Sequence, residues 1–141
     1  MLRKENIIVK KSEDFADRIT SMCDFLYKER CVNKSILGQI SRSGTSIGAN
    51  IAEGIYAQSS ADFISKFSIA LKEANETRYW LERLYNIDML KTQEYESMRK
   101  DNMEIIYILT SIIKTMKKKQ SDMEEIKKMK KIDFILLDDS Q

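Results

Sequence analysis

The chain has 141 residues, a formal net charge of +2, no histidine and no proline. Without histidine it cannot build a Ser-His-Asp or Cys-His nucleophile, nor the Glu-x-x-His motif of di-iron bundles. Its length suits one domain with a real core, and the lack of proline suits long, unbroken helices.

No apolar run reaches the roughly 18 residues of a membrane span. The N-terminal Met1-Leu2-Arg3-Lys4-Glu5 lacks the apolar core of a signal peptide. A cytoplasmic protein is therefore expected. Cys23 and Cys31 stand eight positions apart on one predicted helix. At about 1.5 Å per residue that is roughly 12 Å, beyond disulfide reach. They are expected to be reduced, structural thiols. No metal-ligand spacing and no glycine-rich phosphate loop occurs, so neither metal nor cofactor is expected.

In chain order, residues 1–11 read as a short leader. Asn6 to Lys10 has extended character but nothing nearby to pair with. Ser12 reads as a helix N-cap, with Glu13 and Asp14 in the first turn. Phe15, Ile19, Met22, Cys23, Leu26 and Tyr27 then recur at three and four, predicting a helix over 13–30. Cys31-Val32-Asn33-Lys34 is a tight connection, with Asn33 a candidate N-cap for the second helix.

That second helix holds all four glycines, between Ile36 and Gly54. At about 100° per residue, Ile36, Ile40, Ile47 and Ile51 fall within one narrow sector. Gln39, Arg42, Ser46, Asn50 and Glu53 share another sector, about 80° wide. Gly44 and Gly48 lie beside the isoleucine face and would let another helix approach closely. Gly54 reads as the C-cap, with the helix ending there or a turn later.

After the connection Tyr56–Ser60, Ser60 is expected to cap the third helix. Its apolar face is Phe63, Phe67, Ala70, Leu71, Ala74, Leu81 and Tyr85, interrupted by Arg78. That arginine needs a carboxylate or carbonyl partner, or a stem that reaches outward. Trp80, with Ile69 and Leu84, flanks that face and reads either as core edge or as an oligomer contact. Asn86–Lys91 turns the chain, and Thr92 is expected to cap the fourth helix. Tyr95, Met98, Ile105, Ile106, Leu109, Ile112, Ile113 and Met116 carry its pattern to about Lys118.

Beyond Lys118, Met123, Ile126 and Met129 keep a thin apolar stripe that either extends the helix or stays mobile. Ile132 to Leu137 is the one strand-like run. It is expected to fold back on the bundle, dock on another chain, or pair with a partner's strand edge. Four amphipathic helices with short connections predict an all-α, antiparallel up-down-up-down four-helix bundle over 12–118, with a lysine-rich C-terminal extension over 119–141.

Charge is unevenly spread. Residues 1–113 are neutral overall, residues 114–131 carry net +5, and residues 132–141 carry net −3. The candidate nucleic-acid contacts are Lys114, Lys117, Lys118, Lys119, Lys127, Lys128, Lys130 and Lys131. The alternative reading is a solvated helix end whose lysines suit the dipole. No aromatic residue interleaves them before Phe134, so base stacking and sequence-specific readout are not expected. The polar stripe Gln39, Arg42, Ser46, Asn50 and Glu53 has three readings: side chains that satisfy one another and neighbouring helices, a subunit interface, or catalysis. No metal cluster or tuned base supports the last.

The string Arg42-Ser43-Gly44-Thr45-Ser46-Ile47-Gly48-Ala49-Asn50-Ile51-Ala52-Glu53-Gly54 resembles a known family. So do Ser60-Ala61-Asp62-Phe63, Phe67-Ser68-Ile69-Ala70 and Glu73-Ala74-Asn75-Glu76-Thr77. The family is that of the four-helix-bundle proteins encoded by intervening sequences in bacterial large-subunit ribosomal RNA genes. It is related to the accessory variability protein of diversity-generating retroelements. The resemblance covers roughly 12–118. The chain departs from the family in having Cys31-Val32-Asn33 where a proline is common, and in its longer tail. The resemblance implies a homo-oligomeric ring, often a pentamer, without enzymatic activity. For the retroelement relatives it implies binding to structured RNA and to a reverse transcriptase. Two functions follow: a non-enzymatic oligomeric scaffold that binds structured RNA or DNA, or a protein-interaction bundle with no nucleic-acid role. Neither a membrane nor a small-molecule substrate is expected.

Overall fold

Each apolar stripe winds into one helix, and the four stripes meet around a single core. The computed structural model describes residues 3–139, with side chains from Asn6 onward. Its helices are α1 (Arg3–Arg30), α2 (Lys34–Ile55), α3 (Ser60–Asn86) and α4 (Thr92–Asp139). Among the described residues each helix packs on its neighbour in the chain, and α1 closes against α4. The backbones of the diagonal pairs do not approach one another. Arg30 at the end of α1 reaches Glu94 at the start of α4, and Lys11 near the other end of α1 reaches Glu104. The neighbours are therefore antiparallel, and the fold is the expected all-α, up-down-up-down bundle. Met1, Leu2, Ser140 and Gln141, parts of the expected leader and tail, lie outside the described residues.

The core is built from Ile8, Phe15, Ile19 and Leu26 of α1, Ile40, Ile47 and Ile51 of α2, Phe67, Leu81 and Leu84 of α3, and Ile105 and Leu109 of α4. Each of these side chains is almost fully removed from water, which drives the assembly. Phe63 stacks on Phe67 at 4.1 Å, and Tyr85 on Tyr95 at 4.3 Å.

Several local expectations are corrected. Helix α1 begins at Arg3, so the expected leader is already helical and Ser12 is not a cap. Ser12 is buried, and its hydroxyl donates to Val9 O at 2.9 Å. Ile8, Ser12, Phe15, Ile19, Met22 and Leu26 alternate steps of four and three. Ser12 therefore occupies a core position that satisfies its own hydroxyl. The cap of α3 is Ser59, whose side chain accepts from Asp62 N, and Ser60 is the first helical residue. Thr92 is likewise the first residue of α4. The Glu94 carboxylate accepts from Lys91 N at 2.7 Å, as in half of a capping box. Asn33 does cap α2, accepting from Ser35 N.

Gly54 is not a C-cap: α2 runs on to Ile55, with Tyr56 at the cap position. A Cβ on Gly54 would stand 2.6 Å from the Phe67 ring, so the glycine admits α3. A Cβ on Gly44 would stand 2.9 Å from Ile19, so here the close approach expected of the glycine is to α1. A Cβ on Gly48 would meet Ser12 at an ordinary 3.4 Å. Cys31 lies just past α1 rather than on it, with a left-handed φ of 52°. Arg78 is exposed and pairs with Glu82 at 3.5 Å; Thr77 takes the buried position instead. Ile132 to Leu137 is helical, not strand-like.

Candidate nucleic-acid interface

Helix α4 outgrows the bundle. It has 48 residues against 22 to 28 in the others, about 72 Å at 1.5 Å per residue. Its last buried side chain is Ile113, Met116 and Gln120 are half-buried, and from Ser121 to Asp139 every side chain is exposed. The tail is thus one continuous helix that projects from the end where α2 turns into α3. Good helix formers, lysine, glutamate, methionine and leucine, dominate it, and no glycine or proline interrupts it.

Lys114, Lys117, Lys118, Lys119, Lys127, Lys128, Lys130 and Lys131 are all exposed on this helix. Among the described residues none has a carboxylate within 4.0 Å. At 100° per residue, Lys114, Lys117, Lys118, Lys127, Lys128 and Lys131 occupy about half the circumference, while Lys119 and Lys130 lie beside Met123 on the other side. The arrangement is a cationic rod rather than a shaped groove. Such a rod can neutralise phosphates along a backbone but has no means of reading base edges.

Four of the five residues in the polar stripe of α2 find partners within the bundle. Arg42 bridges Glu73, at 3.2 Å, and Glu76 of α3. The hydrogen bond to Arg42 holds the Glu76 carboxyl below its usual range, and Glu76 in turn raises Arg42. Ser46 donates to Arg42 O at 2.6 Å, and Asn50 to Ser46 O at 2.9 Å. Glu53 pairs with Lys66 at 3.1 Å, and Gln39 is exposed. Asn50 and Ser46 therefore satisfy backbone carbonyls of their own helix rather than each other's side chains.

Composition hid a buried polar seam. The Thr77 hydroxyl bonds to Ser43 Oγ at 3.0 Å, and Asn102 Nδ2 donates to Ala74 O at 3.1 Å, with all three side chains buried. Single small polar residues on apolar faces carry little periodic signal, so only the neighbouring helices reveal them. Trp80 packs at the core edge, its Nε1 buried without a hydrogen-bond partner. Burial pushes the Cys23 thiol up to about 11, which disfavours a reactive thiolate. Among the described residues no cluster of three or more Cys, Asp or Glu could hold a metal ion, and no helix is long and apolar enough to cross a membrane.

Two open grooves are notable. One of about 610 Å³ runs between α1 and α4 and is lined by Arg18, Met22, Phe25, Glu94 and Met98. Another of about 540 Å³ lies where α4 leaves the bundle, between Ser59–Ala61 and Met116, Gln120 and Met123.

The model of the 23S rRNA-intervening sequence protein family matches residues 4–111. The chain belongs to that family. A solved structure of a protein with unknown function from the S23 ribosomal protein family of Bacteroides thetaiotaomicron VPI-5482 is 51% identical, with a TM-score of 0.77. The match covers 79% of this chain and 98% of that one. None of the curated proteins matches. The family match takes in α1 to α3 and most of the bundled part of α4, and it ends before the first of the eight lysines. The intervening-sequence family match thus covers the bundle and stops short of the lysine-rich rod.

Proposed function

We propose that this intervening-sequence protein is a non-enzymatic, homo-oligomeric scaffold that holds the phosphate backbone of structured RNA or DNA through the lysines of α4. The observation that carries this reading is the set of eight exposed lysines, none with a carboxylate within 4.0 Å among the described residues, on a helix that runs out beyond the bundle. Each lysine that meets a phosphate releases counterions, and joining several copies multiplies the effect. The related retroelement accessory proteins extend the reading to a reverse-transcriptase partner. The ion-paired polar stripe of α2 is assigned to holding α2 on α3 rather than to chemistry.

The test is binding of a fluorescent RNA hairpin at about 50 and about 200 mM salt. With six or more phosphates engaged, affinity should fall roughly a thousandfold or more over that range. Replacing the eight lysines by glutamine should abolish binding while leaving the melting temperature unchanged. Binding that ignores both salt and the lysines would refute the reading.

A further inference from the structure

We propose that the projecting part of α4 pairs antiparallel with the same segment of a second copy of this chain. The first observation is a face. At 100° per residue the core residues Ile105, Leu109 and Ile112 share a sector of about 100° with Met116, Met123, Ile126 and Phe134. The apolar side of α4 therefore continues past the bundle, where Met123, Ile126 and Phe134 are 56%, 44% and 69% exposed.

The second observation is charge, and it selects the occupant. Residues 114–131 carry net +5 and residues 132–139 carry net −3. A parallel pair would set lysine against lysine and aspartate against aspartate. An antiparallel pair crossing at Ile126 brings Asp133 of one copy level with Lys119 of the other, and Asp122 level with Lys130. On the helical wheel Lys119 and Lys130 interrupt the apolar sector beside Ile126, and Asp133 and Asp122 lie within about 40° of that same edge, so the lysine of each pair finds its aspartate next to Ile126. Lys114 and Asp138, Lys128 and Glu124, and Lys127 and Glu125 also come level. Opposite charges beside an apolar seam set partner and orientation in helix pairs. In the same register Phe134 reaches the level of Lys118, beside the groove formed by Ser59–Ala61, Met116 and Gln120. A second copy thus supplies both the apolar cover and the countercharges.

The family match ends at residue 111 and every side chain from Ser121 to Asp139 is exposed, so the bundle core does not draw on the segment. Substitutions at these exposed positions should therefore leave the fold intact. The inference deepens the oligomeric part of the proposed function and is tested without nucleic acid, so its outcome is separate from that of phosphate binding. In a Cys23→Ala, Cys31→Ala background, Ile126→Cys, Phe134→Cys and a mixture of Lys119→Cys with Asp133→Cys chains are treated with a short thiol cross-linker. The expected result is a cross-linked dimer from Ile126→Cys and from the mixture, with none from Phe134→Cys alone. Light scattering should show Ile126→Asp losing the mass contributed by this contact. Equal cross-linking at Ile126→Cys and Phe134→Cys would mean parallel pairing. Absence of cross-linking at Ile126→Cys would mean that another partner covers the face. Either result overturns the proposal.

Discussion

Thr77 of α3 and Ser43 of α2 meet hydroxyl to hydroxyl at 3.0 Å, with both side chains fully buried. The contact holds two helices together through groups that water would otherwise solvate. Each hydroxyl also reaches a carbonyl of its own helix, Thr77 that of Glu73 at 2.8 Å and Ser43 that of Ile40 at 3.3 Å, so removing one partner forfeits one hydrogen bond, about 0.5–1.5 kcal/mol, without stranding the other. Thr77→Val and Ser43→Ala should each lower stability by about that much, and the double variant should lose less than their sum. Urea melts of the four chains measure the coupling, and strict additivity would show that the two hydroxyls act independently.

Two glycines of α2 should respond to alanine with opposite signs. At Gly54 the new methyl group would stand 2.6 Å from the Phe67 ring and 3.2 Å from Lys66 Cβ. Overpacking of this kind typically costs about 1–3 kcal/mol. At Gly38 nothing lies within 4 Å, so alanine there adds only helix propensity, roughly 1 kcal/mol of stabilisation. Thermal melts should place Gly54→Ala below and Gly38→Ala above the parent.

Helix α3 ends with Asp88 in a left-handed conformation, φ 62°. Met89 N donates to Leu84 O and Asp88 N to Tyr85 O, each at 3.0 Å, the two bonds of a Schellman ending. Glycine fills that position without the Cβ strain. Asp88→Gly should therefore raise stability by about 0.5–1 kcal/mol. A lower melting temperature would mean that the Asp88 side chain contributes more than its backbone strain costs.

Acid should loosen the α1–α4 seam. Arg30 makes a two-pronged contact with Glu94, at 2.7 and 2.9 Å, and holds its carboxyl below the usual range. Glu104 is lowered in the same way by Lys11. A carboxyl whose pKa is lower in the folded chain than in the unfolded one adds stability above the unfolded value. That contribution disappears as pH falls through the folded value. Stability should therefore drop below about pH 4, the ordinary carboxylate range. Glu94→Gln should show a shallower acid slope, by at most about 1 kcal/mol because the pair is partly solvated. An unchanged slope would mean that the pair is equally well formed in the unfolded chain.

How far the fold was legible depended on the kind of signal. The stripes Phe15–Ile19–Leu26, Ile40–Ile47–Ile51 and Ile105–Leu109–Ile112 repeat at helical spacing, so helix number, order and antiparallel packing could be read directly. Boundaries failed where one residue type has two uses. Ser12 followed by two acids looks like a cap, yet Ile8, four residues earlier, makes it a core position. Gly54 looks like a helix stop, yet Phe67 needs the space that its missing Cβ leaves. Of the candidate interface, the lysine count and its charge asymmetry were visible, whereas the form that carries them was not.

The sequence by itself determined periodicity, composition and charge, because these are properties of neighbours along one chain. From them came an all-helical bundle, the exclusion of histidine chemistry and a basic segment followed by an acidic end. Tertiary structure alone decided which residues share a level across helices. It joined Arg42 to Glu73 and Glu76, set Thr77 against Ser43, and closed α1 on α4 through Arg30 and Glu94. Those outcomes depend on contacts between residues dozens of positions apart, whose free energy appears only once the helices have packed.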